Sequence, residues 1–383
     1  MSDARLQYLQ SSPLALRADG VVGIHHKTLS GLKAFRERWD GPVAVSCLES
    51  ARPVADEAGI VWQSDPAFDG VEAAGVVSAY ELAAMKEVLV HAPVNAPGVQ
   101  TLLERVPLVL GDDNAPDVRT EITLIGARSR LDALRIKAGA IRRTRRFDRL
   151  AARVPGFHAN GYAASAHYAR VNPTTLRYFD HRIRADDLPL SPRSTEGVRG
   201  RPLHIAYSGR FLDIKGVEFI PAFAKELRRR GVDVRVSVIG SGPLEHSIRS
   251  AGEGLLDFPG YMDFESAWKP LFRDQVDLAF LPHVQGDSSS TYFEAMGLGV
   301  PVLGFENATL SPLLADGGGG WAVARGDIRA AADVVVEAIA RPEVLREQSA
   351  RALAFMKGKT MEAVFDQRIN DFDRVARGAF TGG

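Results

Sequence analysis

The chain has 383 residues, 45% hydrophobic and 25% charged, a size and balance that suit two soluble globular domains and exclude a disordered polymer. Its 47 basic and 47 acidic side chains cancel, which excludes a global field for nucleic acid. Cys47 is the one cysteine, so an internal disulfide and any multi-cysteine metal site are excluded, and a reducing cytoplasm is the expected location.

From Met1 to Arg17, polar residues interrupt the apolar ones, unlike a secretory signal. No run reaches the roughly eighteen apolar residues that span a bilayer, so membrane contact is expected to be peripheral. Short apolar runs at 21–24, 43–46, 76–78, 88–91 and 106–110 read as buried parallel strands. Helical spacing at 32–39 and 80–86 lies between them and makes this half a β/α domain. The loop HHKTLSG, with His25, His26 and Lys27, follows the first strand. His91 ends the strand VLVHAPVN and so sits at a carboxyl end, where a histidine either serves as a structural donor or handles a proton for the reaction. The segment 128–153 concentrates arginine on a predicted helix that keeps Leu131, Leu134, Ala138 and Ile141 on one face. Such a helix either docks on an anionic membrane or packs its apolar side on the domain's own sheet. His158 and His167 flank Asn160 in a strand-to-helix segment and read as structural.

Periodicity stops at 184–201, rich in proline, glycine, serine and charge, which reads as a linker. The expected organisation is a domain over 1–185, a linker over 186–201, a second domain over 202–363 and a terminal helix over 364–383. The second domain repeats the β/α series, with strands at 203–207, 234–239, 278–281 and 301–304 and helices at 217–229, 266–272, 290–298 and 328–340. Two doubly wound domains place ligands at the carboxyl ends of their strands.

Four segments there carry candidate chemistry. GRFLDIKG puts Arg210 and Lys215 on a loop after a strand, as a diphosphate grip or as solvated charges. GSGP supplies Gly240 and Gly242, where backbone approaches a ligand or simply turns. FPGYMDF places Tyr261 and Met262 on a loop suited to a flat base. In SSSTYFEAMG the N–H groups of Ser289, Ser290 and Thr291 open a helix, a seat for phosphate or a plain cap cluster. Glu294 lies one turn in, where a carboxylate suits a ribose diol better than a phosphate.

In this order and spacing, GRFLDIKG, VIGSGPLE, FPGYMDF and STYFEAMGLGVPVLGF resemble the retaining family four of GT-B glycosyltransferases, the glycosyl transferases group 1, over about 202–340. The resemblance implies two Rossmann-like domains across a cleft, with a nucleotide-sugar donor in the C-terminal half and an acceptor hydroxyl, sugar or lipid-linked, facing the N-terminal half. It implies that Arg210 and Lys215 grip the diphosphate, Glu294 meets the ribose, Ser290 and Thr291 bind phosphate, and Tyr261 and Met262 lie beside the base. UDP is the family's commonest nucleotide, and neither a metal nor another cofactor is implied. The chain departs from the family at Gly286, where a second glutamate usually reaches the transferred sugar; neighbouring Asp287 is the candidate substitute, with His91 the other candidate catalytic residue. A catalytically idle nucleotide-sugar-binding protein and a nucleotide-sugar epimerase of the same architecture are the alternatives. No dinucleotide-binding G-x-G-x-x-G follows the first strand of either half.

Overall fold

Apolar runs separated by helices fold here into two α/β units. The computed structural model describes residues 2–10, 14–17, 20–47, 51–53, 60–64, 68, 70–193 and 200–380. One unit comprises Met1–Pro116, Lys137–Tyr178 and Glu362–Gly383, and the other Asp117–Ile136 and Phe179–Met361. The stretch read as a linker thus falls in the second unit, with 194–199 outside the described residues.

The first unit is built on a seven-stranded parallel sheet, in spatial order Thr175–Tyr178, Gly156–Asn160, Leu108–Asp112, Val88–Pro93, Arg5–Leu9, Val43–Cys47 and Val71–Val76. The interior strand Arg5–Leu9 is not anticipated from the apolar runs, because Gln7 breaks its pattern. Gln7 is fully buried, and its amide donates to Ser46 Oγ on the next strand at 3.0 Å, so two buried polar groups satisfy each other. The run at 21–24, expected in the parallel sheet, instead forms Val22–His25 in a separate four-stranded sheet, antiparallel to Leu14–Leu16 and Ile60–Trp62. Likewise HHKTLSG is not a loop: His26–Arg36 is helical, capped by the His25 ring accepting from the Lys27 N–H. The expected strand at 76–78 lies earlier, at Val71–Val76. The terminal helix Met361–Phe380 lays Phe365 and Phe372 on Phe35, with ring centroids 4.7 and 5.5 Å away.

The second unit holds a six-stranded parallel sheet in the order Asp257–Gly260, Val234–Ile239, Leu203–Ser208, Leu278–Leu281, Val302–Phe305, Gly320–Val323. All register pairs are parallel and the central strands are almost wholly buried: Leu278–Leu281 is apolar throughout, while Leu203–Ser208 admits the buried His204, whose ring bonds Ser237 Oγ at 2.8 Å. Helix Phe219–Arg229 buries Ile220, Phe223 and Leu227, and Phe223 stacks on Phe280 of the sheet at 4.1 Å. Strand order reverses between Leu203–Ser208 and Leu278–Leu281, and a crevice at the carboxyl ends of such a pair is where doubly wound sheets bind ligands.

Candidate functional site

At that reversal lies an open cleft of about 270 Å³, entirely within the second unit. Its floor comes from three loops that bond to one another as they leave adjacent strands. The Gly209 N–H donates to Ile239 O, Phe211 N–H to Ser241 O, and Gly240 N–H to Gly260 O, at 2.9 to 3.1 Å. This close stacking requires glycine at 240: its φ is +130°, and a Cβ there would stand 2.0 Å from Gly209 O. Gly242 has the same need against the Phe211 backbone, at 2.7 Å, but it supports the loop from behind and does not line the cleft.

Arg210 stands exposed on this floor, its main chain pinned by the Tyr207 hydroxyl donating to Arg210 O at 2.9 Å. Among the described residues its guanidinium forms no ion pair, so its charge is available to a ligand. Lys215 was expected beside it, but the structure parts the pair: Lys215 Nζ bonds Asp287 and lies outside the cleft lining. That ion pair also answers for Asp287, which is likewise absent from the lining. Burial alone would raise its carboxyl, yet His283 and Lys215 beside it more than offset this and hold it well below the usual carboxylate range. His283 itself is pushed down to about 4, by burial first and then by Lys215.

Gly286 is packed where the family's acid would stand. A Cβ there would meet Ala308 Cβ at 2.6 Å, while Thr309 Oγ1 donates to Gly286 O at 2.8 Å. The 307–309 segment is fixed in turn by Asn307 Oδ1, which accepts from the N–H groups of Thr309 and Leu310. This backbone therefore has no room for a glutamate at 286.

The helix Ser290–Gly297 opens on the cleft. Its N-cap, Ser289, makes no side-chain cap, and the Ser289 N–H, expected to be free, donates to Asp287 O at 2.9 Å. Ser290 and Thr291, the first two residues of the helix, line the cleft with N–H groups that have no partner within the helix. Glu294 lies deeper, only 3% exposed, and Arg182 Nε donates to its Oε1 at 2.9 Å. Across the cleft stand Tyr261, 73% exposed, and Met262.

Thus Arg210, Gly240, Tyr261, Met262, Ser290, Thr291 and Glu294 gather in one cleft, and Lys215, Gly242, Ser289 and Asp287 support it from outside. Sequence reading missed Arg182, Phe264 and Trp268, which complete the wall. Arg182 sits in an unpatterned stretch far from any motif, so no local signal could have found it. Trp268, inside a segment read as helix, had a weak one: a large aromatic beside the FPGYMDF loop.

His91 belongs to the first unit and is buried there. Its ring stacks on Tyr8 at 4.8 Å and meets the edge of Phe372 at 5.5 Å, and neither ring nitrogen has a partner or reaches solvent. Burial first, then Arg368 and His158, hold its imidazole well below its ordinary value, so it is neutral. A histidine so enclosed has no atom to offer a substrate, and its position lends the expected catalytic role no support.

Two parallel-sheet units of this kind define the GT-B fold. HepE from Anabaena, solved with UDP and glucose, shares it across 97% of this chain and 99% of that one, with a TM-score of 0.63 at 14% identity. Residues 202–341 match the family model described as glycosyl transferases group 1. WcaL of Salmonella typhimurium, a candidate colanic acid biosynthesis glycosyltransferase, is 26% identical over 167 residues, 41% of this chain and 40% of WcaL. The 2-deoxystreptamine N-acetyl-D-glucosaminyltransferase of Streptomyces fradiae is 26% identical over 273 residues, 62% of each chain. The chain thus matches about two-fifths of the length of WcaL and about three-fifths of the Streptomyces enzyme.

Proposed function

We propose that the protein is a glycosyltransferase that moves a sugar from a nucleoside diphosphate donor, a UDP-sugar first among them, to an acceptor hydroxyl. Retention of configuration and a place in bacterial polysaccharide or glycolipid assembly belong to the same reading. The observation that carries it is the cleft, where an unpaired guanidinium, the opening N–H groups of a helix and a buried carboxylate converge on a space lined by Tyr261 and Met262. In the reaction the bond from the sugar's anomeric carbon to the diphosphate oxygen breaks, a bond to the acceptor oxygen forms, and the acceptor proton is released. Arg210 and the helix start at Ser290 meet the negative charge that grows on the leaving diphosphate. The reading calls for no metal. The match to glycosyl transferases group 1 and the fold of a UDP-bound neighbour support it. The test is release of nucleoside diphosphate from UDP-, GDP- and ADP-sugars. Release that requires a hydroxyl acceptor, and falls at least about 100-fold in Arg210→Ala, is the expected result. Interconversion of the donor sugar with no acceptor present would replace this reading with an epimerase.

The acceptor side of the proposal includes an anionic membrane surface, and one observation favours it. The helix Arg130–Ala151 buries Ala140, Phe147, Leu150 and Ala151, while Leu131, Leu134 and Ile141 on its other side are 69%, 62% and 56% exposed. Arg130, Arg135, Lys137, Arg142 and Arg145 surround that apolar stripe, so its charge complements acidic headgroups while the leucines and isoleucine enter the interface. No helix among the described residues is long and apolar enough to cross a membrane. Sedimentation with phosphatidylglycerol vesicles is expected to exceed that with phosphatidylcholine vesicles about tenfold, and Leu134→Ser with Ile141→Ser to remove the difference. Equal sedimentation with both vesicle types would refute membrane docking by this helix.

A further inference from the structure

We infer that Arg182 is a positioning residue of the donor site, holding Glu294 so that its second carboxylate oxygen meets the ribose hydroxyls of a bound nucleoside diphosphate. The inference rests on the donor reading above. Arg182 Nε donates to Glu294 Oε1 at 2.9 Å, and among the described residues no hydrogen bond engages Oε2. Both residues line the cleft.

A carboxylate buried beside a diphosphate seat is unfavourable by itself, because it is desolvated and repels the ligand. The Arg182 cation cancels that charge, and its Nε–H, set in a rigid guanidinium plane, engages one carboxylate oxygen from a fixed direction and leaves the other to the ligand. Arg182 is itself held from three sides. Its guanidinium carbon lies 3.5 Å from the Phe264 ring centroid. Phe264 stacks on Trp268 at 5.1 Å, and Trp268 Nε1 is anchored to Ser208 Oγ at 2.8 Å. On either side of Arg182 the chain is pinned, since the His181 ring bonds Lys359 O at 2.8 Å and Ile183 O accepts from the Met361 N–H at 2.7 Å. A side chain locked by packing on one face and by fixed backbone at its root is preorganised, which is what a positioning role requires.

The test is calorimetric titration of UDP, GDP and ADP, and of their 2′,3′-dideoxy forms, into wild type, Glu294→Gln, Arg182→Met and Arg182→Lys. For the nucleotide that binds, removing both hydroxyls is expected to weaken wild-type binding at least about tenfold, the size of one charge-assisted hydrogen bond. That ratio is expected to approach one in Glu294→Gln and in Arg182→Met, and to be intermediate in Arg182→Lys. If Arg182→Met weakens both forms equally and keeps the wild-type ratio, Arg182 contributes only charge or packing and the inference falls. Should Arg182→Met fail to fold, a wild-type ratio in Arg182→Lys overturns it and a reduced ratio upholds it. Wild-type protein that binds nucleotide but ignores the hydroxyls overturns the inference and leaves the donor reading standing. Folded wild type that binds none of the three diphosphates overturns both.

Discussion

Arg210→Ala is expected to weaken nucleoside diphosphate binding about 10- to 100-fold while leaving the fold intact. A hydrogen bond between two charged groups contributes about 1.5–3 kcal/mol, and each 1.4 kcal/mol is a factor of ten in affinity. The substitution is clean because the loop is held by main-chain bonds and by Tyr207 bonding Arg210 O, none of which uses the guanidinium. Lys215→Ala is a different experiment. It strips the partner from Asp287, a largely buried carboxylate, so loss of stability is expected to accompany any loss of affinity. Calorimetry with UDP, GDP and ADP, read beside thermal melting of each variant, separates the two. Full affinity in folded Arg210→Ala would remove this arginine from the donor site.

Acidification is expected to destabilise both units well before their carboxylates titrate. His158 in the first unit and His283 in the second are each pushed down to about 4, with burial the leading cause in both. For His158, Asp371 opposes the shift and Arg368 adds to it; for His283, Lys215 adds and Asp287 opposes. In the unfolded chain an imidazole titrates near 6.5, so between about 6.5 and 4 the unfolded state binds protons that the native state refuses. Stability is therefore fully present above about 6.5 and is lost as pH falls toward 4, on the order of 3 kcal/mol for each of the two groups. His91 and His204 are depressed in the same direction, again with burial leading, and steepen the loss. Melting temperature is expected to drop by on the order of ten degrees between pH 7 and pH 5. His91→Phe removes a buried ring with two unpartnered nitrogens and is expected to flatten the acid limb of the first unit. A melting temperature unchanged over that range would refute the account.

How much of this could be read in advance depended on whether the deciding contacts were local. The strands Val234–Ile239 and Leu278–Leu281 matched their predicted limits: Leu278–Leu281 is an unbroken apolar run buried on both faces, and in Val234–Ile239 apolar residues alternate with Arg235 and Ser237. Arg5–Leu9 escaped the same reasoning, since the buried Gln7 amide donates to Ser46, far along the chain, while its oxygen accepts from Arg5.

By itself the sequence determined the second unit's strand order of events: a loop with Arg210 after one strand, GSGP after the next, and Ser290, Thr291 and Glu294 at a helix start. Each of these is set by a few consecutive residues, so spacing along the chain carries over directly into the cleft. Tertiary structure alone decided the rest. It took Lys215 out of the cleft by giving it Asp287, closed position 286 to any side chain with Ala308, enclosed His91 beneath Tyr8 and Phe372, and brought Arg182 to Glu294. These outcomes depend on which groups meet after the chain has folded back over tens of residues or more, and a charge or an imidazole has the same letter whether its partner is water, a carboxylate or an aromatic ring.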